Sequence, residues 1–184
     1  NRHPLEDVRI EDLLGRGEIH LEQSEIRSYL TDQVVAVTGA GGSIGSELCR
    51  QILRFHPKEL VMIDINENSL YMLEQEFNRA RTHGRLPKEI KIDSYIASIR
   101  DRMAINDIIA LKAPAVVFHA AAHKHVPLME TRPMEAIKNN VFGTNNVIQC
   151  CIRNRVPRFI MISTDKAVHP TNVMGATKRM TEMI

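Results

Sequence analysis

The chain has 184 residues, of which 43% are hydrophobic and 25% are charged, and its formal net charge is +2. That length and composition predict one soluble globular domain with its own core. Acidic and basic residues are interspersed, so the charge predicts no nucleic-acid partner. No apolar run reaches the roughly 18 residues that cross a bilayer, and no signal peptide is visible. Because the chain opens at Asn1 without a methionine, we expect a piece of a longer protein.

The predicted elements alternate between helices and strands along the chain. The first 30 residues are polar, with two short helical stretches, 4–15 and 24–30. After them, short apolar β-branched runs predict strands, and runs with a 3.6-residue period predict helices. The predicted strands are 33–38, 59–65, 89–98, 115–122 and 158–164. The predicted helices are 44–53, 67–82, 101–112, 133–153 and 172–184.

Five alternations of strand and helix predict a doubly wound parallel α/β sheet with helices on both faces, the Rossmann fold. We divide the chain into a helical lead-in segment, 1–32, and a Rossmann domain, 33–184. In such sheets, ligands bind at the carboxyl ends of the strands, where the strand order switches. The motifs described next all follow predicted strands.

The cysteines give an indication of the redox environment. Cys49, Cys150 and Cys151 form neither a CxxC pair nor a disulfide framework, and adjacent cysteines rarely bridge each other. We therefore predict buried free thiols and a reducing compartment.

The glycine-rich turn TGAGGSIG follows the first strand and opens the first helix of the predicted sheet. Gly39 allows a sharp turn, Gly42 lets the backbone approach a pyrophosphate, and Gly45 lets the helix pack on the sheet. The helix N-terminus, with Ser43 and Ile44, offers free N–H groups to phosphates. This position in a βαβ unit favours dinucleotide binding over a glycine turn of no consequence.

Asp64 closes the second strand, some twenty-odd residues beyond the glycines. An acid there binds both ribose hydroxyls and repels the 2′-phosphate of NADP, so NAD is the predicted cofactor. The alternative is an N-cap for the following helix. Beyond the third strand, Ser98 and Ile99 are predicted to contact the same cofactor.

Three histidines lie close together in HAAAHKH, residues 119–125, a spacing that raises a metal site as one hypothesis. We favour a different interpretation, in which no metal binds and three small residues accommodate a flat cofactor over the fourth strand. The small residues are Ala120, Ala121 and Ala122. Lys124 and His125 then face the substrate side of the loop, the alternative being a solvated basic loop.

Asn140, in NNVFGTNNV, lies near the start of a predicted helical run. There it can hold a water or a backbone carbonyl beside the active site, and we assign it to the cofactor site. Asn139 is the competing choice, and both residues can equally be ordinary polar residues on a helix.

Thr164, Asp165 and Lys166 lie just past the fifth strand and combine a hydroxyl, a carboxyl and an amine. Such a set can form hydrogen bonds and transfer protons. Lys178 follows on the last predicted helix, where its charge can bind a nicotinamide ribose and lower nearby pKa values. Met174 precedes Lys178 by one turn, and a thioether can neither donate nor accept a proton.

The segments TGAGGSIGSEL, HAAAHKHVPLME, NNVFGTNNV and STDKAVHPTNVMGATKR together resemble the extended short-chain dehydrogenase/reductases. More narrowly, they resemble the large, membrane-anchored UDP-N-acetylglucosamine 4,6-dehydratases of bacterial polysaccharide biosynthesis. The segment IEDLLGR, 10–16, also fits the region before the catalytic domain of that type. The usual tyrosine of the superfamily is replaced by Met174, and the resemblance implies that this residue marks the subfamily and belongs with its catalytic set.

The resemblance implies a reaction on a UDP-sugar. Hydride passes from sugar carbon 4 to bound NAD, water is lost across carbons 5 and 6, and hydride returns to carbon 6. By similarity, Asp165 protonates the leaving 6-hydroxyl and Lys166 handles the carbon 5 proton. Thr164 and Lys178 would assist removal of the 4-hydroxyl proton. The product is a UDP-4-keto-6-deoxy-N-acetylhexosamine.

The resemblance also implies features outside this chain. The Rossmann domain is expected to be truncated before a C-terminal substrate domain, so this piece by itself is expected to be poorly active. A membrane anchor in absent segments would hold the full-length protein at the cytoplasmic face of the bacterial inner membrane. Helices starting near Met103 and Pro133 are candidates for a homo-oligomer contact. His169 stands where that type is expected to carry asparagine, and we assign no consequence to this difference.

Two other functions compete with the dehydratase. A nucleotide-sugar 4-epimerase shares the fold and the 4-keto step, but such enzymes generally use the tyrosine that Met174 replaces. They also need no acid–base pair such as Asp165 and Lys166 for dehydration. The other alternative is a non-catalytic NAD-binding module.

Overall fold

The computed structural model describes residues 23–184, and a parallel five-stranded sheet forms its centre. The strands are β1 Val34–Thr38, β2 Glu59–Asp64, β3 Lys91–Ile96, β4 Val116–His119 and β5 Arg158–Met161. They lie in the order β3-β2-β1-β4-β5, and every neighbouring pair is parallel. The predicted doubly wound Rossmann sheet is therefore confirmed.

Helices connect the strands and close the described part of the chain. They are α1 Gln23–Leu30, α2 Ser43–Leu53, α3 Glu67–Thr82, α4 Arg102–Lys112, α5 Val126–Thr131, α6 Pro133–Ala136, α7 Thr144–Arg153 and α8 Val173–Glu182. The helix predicted at 24–30 is confirmed as α1. The helical stretch predicted at 4–15 and the segment 10–16 lie outside the described residues. Leu30 of α1 is buried in the same apolar cluster as the sheet, and the division at residue 33 stays a prediction.

The sheet is buried on both faces, which explains the continuous apolar runs of its central strands. Alternate residues of β1 point to opposite sides: Val35 and Val37 join one apolar cluster, and Ala36 joins the other. Helices α2 and α3 contribute to the first cluster, and helices α4 and α7 contribute to the second. The sheet thus has a separate core on each face.

The strand order reverses at β1, which has β2 on one side and β4 on the other. The connections after β1 and β4 therefore leave the sheet in opposite directions and open a crevice at their carboxyl ends. Strand β4 ends at His119, opposite Thr38, because β1 ends there and offers no further backbone partner. The predicted fourth strand therefore extended three residues too far at its carboxyl end, and Ala120 to Ala122 lie in the crevice loop.

The helix predicted at 133–153 is continuous, but its middle is a π-helix, Ile137–Gly143, between α6 and α7. Gly143 lies against Ile99, whose Cδ1 would be 2.8 Å from an added Cβ. π-Helical segments inside α-helices are frequently found at functional sites. Helix α5 was not predicted at all, although the proline in its first turn is compatible with a helix start.

The three cysteines are free and buried, as predicted, and burial raises the pKa of Cys49 and Cys151 to about 12. The reducing compartment stays a prediction. Within residues 23–184, no helix combines the length and the apolar character that a membrane span needs.

Candidate cofactor and catalytic site

The glycine turn after β1 is tightly packed. Gly39 has a positive φ of 71°, and a Cβ there would lie 2.5 Å from the backbone nitrogen of Ala121. A Cβ at Gly45 would lie 2.0 Å from the carbonyl oxygen of Gly39. The N–H of Gly42 donates to the same carbonyl over 3.0 Å. Side chains at Gly39 and Gly45 would therefore open the turn and separate α2 from the sheet.

Asp64 at the end of β2 points toward the glycine turn. Its Oδ2 accepts from the Gly41 N–H and its Oδ1 from the Asn66 N–H, each over 2.8 Å. The N-cap of α3 is Asn66, whose side chain accepts from the Ser69 N–H over 3.0 Å. The alternative role of Asp64 as that helix's N-cap is therefore wrong. Each carboxylate oxygen keeps a further lone pair for a ligand hydroxyl.

A cavity of about 260 Å³ runs along the carboxyl ends of β1, β2 and β4. The predicted cofactor residues on its wall are Gly39, Gly42, Asp64, Ser98, Ile99, Ala120, Ala121 and Ala122. Wall residues that were not predicted to contact the cofactor are Gly41, Ile63, Ile65, Asn66, Ser69, Ala97 and His123. Gly41 could have been predicted as well, because it is adjacent to Gly42 in TGAGGSIG and only Gly42 was predicted to contact the cofactor.

Asn140 does not line this cavity. It is 1% exposed, and its Oδ1 accepts from the His123 N–H while its Nδ2 donates to the His123 carbonyl and to Thr177 Oγ1. The amide thus holds a backbone segment beside the site, one of the two roles foreseen for it. Direct contact of the Asn140 side chain with a cofactor stays a prediction, and the competing Asn139 lies on the cavity wall.

Lys124 reaches across the crevice, where its Nζ donates to Ser43 Oγ over 2.7 Å. Its charge therefore lies at the N-terminus of α2, the end of the cavity where the pyrophosphate was predicted. Contact of Lys124 with the substrate stays a prediction. His125 is exposed at the start of α5, and its substrate contact stays a prediction.

The three histidines of 119–125 point in different directions. His119 is fully buried: its Nδ1 lies 2.6 Å from Thr38 Oγ1 and its Nε2 lies 2.8 Å from Thr144 Oγ1. His123 and His125 are exposed. Burial lowers the pKa of His119 to about 3, so its ring is neutral. The bridge from Thr38 to Thr144 was not predicted. The two threonines lie in the separate segments TGAGGSIG and NNVFGTNNV, and only folding brings both of them to His119.

Thr164, Asp165 and Lys166 lie together beyond β5 in a 3-10 turn. The Thr164 hydroxyl donates to Asp165 Oδ1 over 2.9 Å. This bond and the charge of Lys166 lower the pKa of Asp165. The turn lies directly on α8, since a Cβ at Gly175 would be 2.3 Å from the Lys166 carbonyl oxygen. The hydroxyl, the carboxyl and the amine therefore lie in one turn fixed by a glycine.

Lys178 and Met174 are both buried on α8, but they have different surroundings. Lys178 is 5% exposed and donates to the Ile162 carbonyl over 2.8 Å; burial lowers its pKa. Met174 is 4% exposed and packs with Met129 and Ala136 in a small apolar cluster. Met174 therefore has a packing role in the described residues, and its place in the catalytic set stays a prediction.

Glu182 is a further residue near this edge that the sequence did not reveal. It accepts from the Ser163 hydroxyl at one carboxylate oxygen and pairs with Arg179 at the other. These hydrogen bonds lower the pKa of Glu182. A carboxylate in the last turn of a helix gives no recognisable sequence signal, and its partner Ser163 is brought close only by folding.

The strand order, the glycine turn and the acidic end of β2 together define a dinucleotide-binding fold. The family model described as "Polysaccharide biosynthesis protein" matches residues 35–184. The chain therefore belongs to the polysaccharide biosynthesis protein family.

Known proteins with similar sequences or folds were found in bacteria. The probable polysaccharide biosynthesis protein EpsC of Bacillus subtilis is 49% identical over 180 residues, which cover 98% of this chain and 29% of EpsC. A UDP-glucose 4-epimerase of Rickettsia typhi is 36% identical over 157 residues, covering 83% of this chain and 42% of that protein. The X-ray structure of Pen from Bacillus thuringiensis has a TM-score of 0.75 and 32% identity, over 84% of this chain and 46% of Pen. This chain thus spans less than half the length of each of these three proteins.

Proposed function

We propose that this chain is the NAD-binding part of a nucleotide-sugar 4,6-dehydratase that acts on UDP-N-acetylglucosamine. The observation that carries the proposal is the turn Asp165–Ala167 beside α8, with an acid and a base directly beyond β5. Loss of water across two carbons needs such a pair, whereas inversion of one carbon does not. Family membership supports a role in polysaccharide biosynthesis.

The cavity supports NAD as the cofactor. Its floor beside β4 consists of small side chains, and a Cβ at Gly41 would lie 2.5 Å from Ser69 Cβ. The first turn of α2 offers N–H groups without helical partners, and Lys124 adds a positive charge beside it. At the other end, Asp64 would accept the two ribose hydroxyls and repel a 2′-phosphate. These features fit a dinucleotide that carries no additional phosphate.

In the proposed reaction, NAD when bound supplies the acceptor and later the donor of hydride. Lys178 would donate a hydrogen bond to the nicotinamide ribose, because its Nζ lies just beyond the end of β5. Burial lowers the pKa of Lys178, so the amine also releases a proton more readily. Thr164 would bond the 4-hydroxyl of the sugar, and neutral Lys178 would assist removal of its proton as hydride leaves carbon 4. Neutral Lys166 would take the carbon 5 proton and return it when hydride returns to carbon 6. Asp165 would protonate the leaving 6-hydroxyl, which departs as water.

The role of Asp165 makes a demand on the rest of the protein. The carboxyl is exposed, and its lowered pKa keeps it ionised near neutral pH. A general acid must hold its proton until the leaving group departs. Burial of a carboxyl raises its pKa, so the bound sugar and the residues that cover it would have to exclude water from Asp165.

The decisive experiment uses the full-length protein that carries this chain, incubated with UDP-N-acetylglucosamine. A 4-keto product that absorbs in strong base is expected. UDP-N-acetylgalactosamine as the product would instead establish the 4-epimerase, which the similarity to Rickettsia typhi UDP-glucose 4-epimerase keeps as the second candidate. If neither product forms while NAD binds, the protein is a non-catalytic NAD-binding module and the proposal fails.

Variants of the turn test the residue roles. Asp165→Asn and Lys166→Ala should each lower turnover by at least about a hundredfold, the typical contribution of a positioned acid or base. NAD affinity should stay unchanged, because neither residue lines the cavity. Asp107→Asn and Lys88→Ala, both at exposed positions, are the matched controls. Full turnover in either turn variant would contradict the assigned role.

Asp64→Ser tests cofactor choice separately. Loss of the Asp64 carboxylate should weaken NAD binding, because the ribose hydroxyls lose their acceptor. It should also reduce the preference for NAD over NADP, because nothing then repels the 2′-phosphate. Calorimetric titration of the wild-type and variant proteins with both dinucleotides measures the two effects. An unchanged preference would show that another group selects the cofactor.

We also propose a homo-oligomer through α4 and the helical run from Pro133, which pack against each other. Met103 and Ile152 on these helices are 78% and 65% exposed. In the proposed assembly these two side chains would belong to one apolar patch that a partner covers. Light scattering should give a dimer or larger assembly for the wild-type protein and a monomer for the double variant Met103→Lys and Ile152→Lys. A monomeric wild-type protein would contradict this proposal.

A further inference from the structure

A hydrogen-bonded bridge crosses the core directly below the glycine turn. His119 lies at its centre and is fully buried, with Nδ1 2.6 Å from Thr38 Oγ1 and Nε2 2.8 Å from Thr144 Oγ1. The two threonines are 0% and 1% exposed. The bridge therefore joins the last residue of β1, the last residue of β4 and the first residue of α7.

The bridge satisfies every polar side-chain atom in it. A neutral imidazole carries one N–H, so one ring nitrogen donates and the other accepts. Each threonine hydroxyl can donate or accept a hydrogen bond. Both bonds can therefore form whichever nitrogen of His119 carries the proton. Removal of one partner would leave a buried polar atom without a hydrogen bond, which costs more than the bond itself contributes.

One arm of the bridge holds the residue directly before the glycine turn. The Thr38 side chain bonds the ring, and its carbonyl accepts from the Ala120 N–H over 3.0 Å. The next residue, Gly39, has a positive φ and donates its N–H to the Ile63 carbonyl over 2.8 Å. A displaced Thr38 would therefore move the glycine turn relative to the loop that follows β4.

We infer that His119 is a positioning residue for the cofactor, and that it acts through Thr38 to hold the glycine turn at the geometry a pyrophosphate requires. The inference rests on the proposed NAD function. The other arm, to Thr144, anchors the ring to α7 and has no direct link to the turn. The two arms should therefore differ in their effect on cofactor binding, although both contribute to stability.

A merely structural histidine would behave differently. The ring of His119 stacks on Phe159 at a centroid distance of 5.8 Å, so its loss also removes apolar packing. If packing were its only role, substitutions would lower the free energy of unfolding without any preference for one arm. The test must therefore separate the two arms at similar stability.

Asparagine and glutamine separate the arms, because each keeps the hydrogen-bonding atom of only one ring nitrogen. An asparagine amide reaches about as far as Nδ1, so His119→Asn retains the bond to Thr38. A glutamine amide reaches about as far as Nε2, so His119→Gln retains the bond to Thr144. Thr38→Val and Thr144→Val remove the same two arms from the opposite side with almost no change in volume, and they serve if a histidine variant does not fold.

The experiment combines amide hydrogen exchange and calorimetric NAD titration on the 184-residue chain and its four variants. In His119→Gln and Thr38→Val, the Gly39 and Ala40 amides should exchange about tenfold faster and NAD should bind about tenfold more weakly. In His119→Asn and Thr144→Val, both quantities should stay within about twofold of wild type. Denaturant unfolding of all four variants shows whether their stabilities are similar.

Equal exchange rates at the glycine turn in the two pairs of variants would overturn the inference, whatever the NAD affinities are. Faster exchange with unchanged NAD affinity would also overturn it, since the turn would then move without affecting the cofactor. A wild-type chain that binds no NAD, with the expected exchange pattern, would refute the proposed NAD function. The role of His119 would then be reduced to holding the turn.

Discussion

Mild acid should destabilise this protein through His119. Burial lowers the pKa of the ring from 6.5 to about 3, and the positive charge of Lys178 acts in the same direction. In the unfolded chain, the ring takes up a proton below pH 6.5, whereas in the folded protein it stays neutral until about pH 3. The unfolded state therefore binds more protons in this window, and stability is lost as the pH falls.

The size of the effect follows from the two pKa values. Each pH unit below the unfolded value changes the free energy of unfolding by about 1.4 kcal/mol. Between about pH 7 and about pH 5, His119 should therefore remove about 2 kcal/mol, a large fraction of the roughly 5–15 kcal/mol by which domains are stable. Carboxylates with lowered pKa values, such as Glu76 and Glu182, lose their contribution mainly below their usual pKa of 4.5. The chosen window thus separates the histidine from the acids.

Urea unfolding followed by circular dichroism at about pH 7 and about pH 5 measures the loss. His119→Gln should be less stable than wild type at the higher pH, and its loss on acidification should be about 2 kcal/mol smaller. His83→Gln, at an exposed position on the surface, should keep the wild-type pH dependence. An equal loss in wild type and His119→Gln would refute the reasoning, because the proton taken up on unfolding would then belong to another group.

Two further predictions concern packing and charge. Gly45→Ala should cost about 3 kcal/mol of stability, because its Cβ would lie 2.0 Å from a backbone oxygen. Gly84→Ala, with φ +67° but no atom within 4 Å, should cost only about 1 kcal/mol of backbone strain, and equal losses in urea unfolding would contradict the steric argument. Lys112→Met should cost about 3 kcal/mol, because it leaves the carboxylate of Glu59, whose side chain is 12% exposed, without its charge partner. Lys138→Met removes an exposed pair and should change stability by less than about 1 kcal/mol; a similar loss there would show that burial does not decide the cost.

The sequence predicted the sheet because its strands are apolar, short and separated by helices of regular period. Strand ends were less predictable, since β4 ends where β1 stops offering backbone partners. The π-helix Ile137–Gly143 was also missed, because its local sequence keeps a helical pattern and only contacts such as Gly143 with Ile99 distinguish it.

Residues of the candidate site were predictable where the residue type itself indicates the local backbone conformation or the end of a strand. Gly39 occupies a conformation that favours glycine, and Asp64 follows a strand whose end was recognisable. Partners brought together from distant segments were missed, as with Asn140 and Thr177, because only the folded chain makes them neighbours. Met174 illustrates a further limit: its position on α8 was correct, but its burial against α5 depended on a helix that was not predicted.

The two halves of the site differ in how firmly they are held, and this difference bears on what the chain can do alone. The glycine turn rests on buried polar bonds, including those of His119, and is crowded by backbone at Gly39. Asp165 and Lys166 are exposed, although Gly175 fixes the backbone of their turn from below. Under the proposed function, cofactor binding needs only the first half, whereas acid catalysis by Asp165 would need water excluded from the second. This chain should therefore bind the cofactor, and turnover should depend on how completely bound sugar and protein shield Asp165 from water.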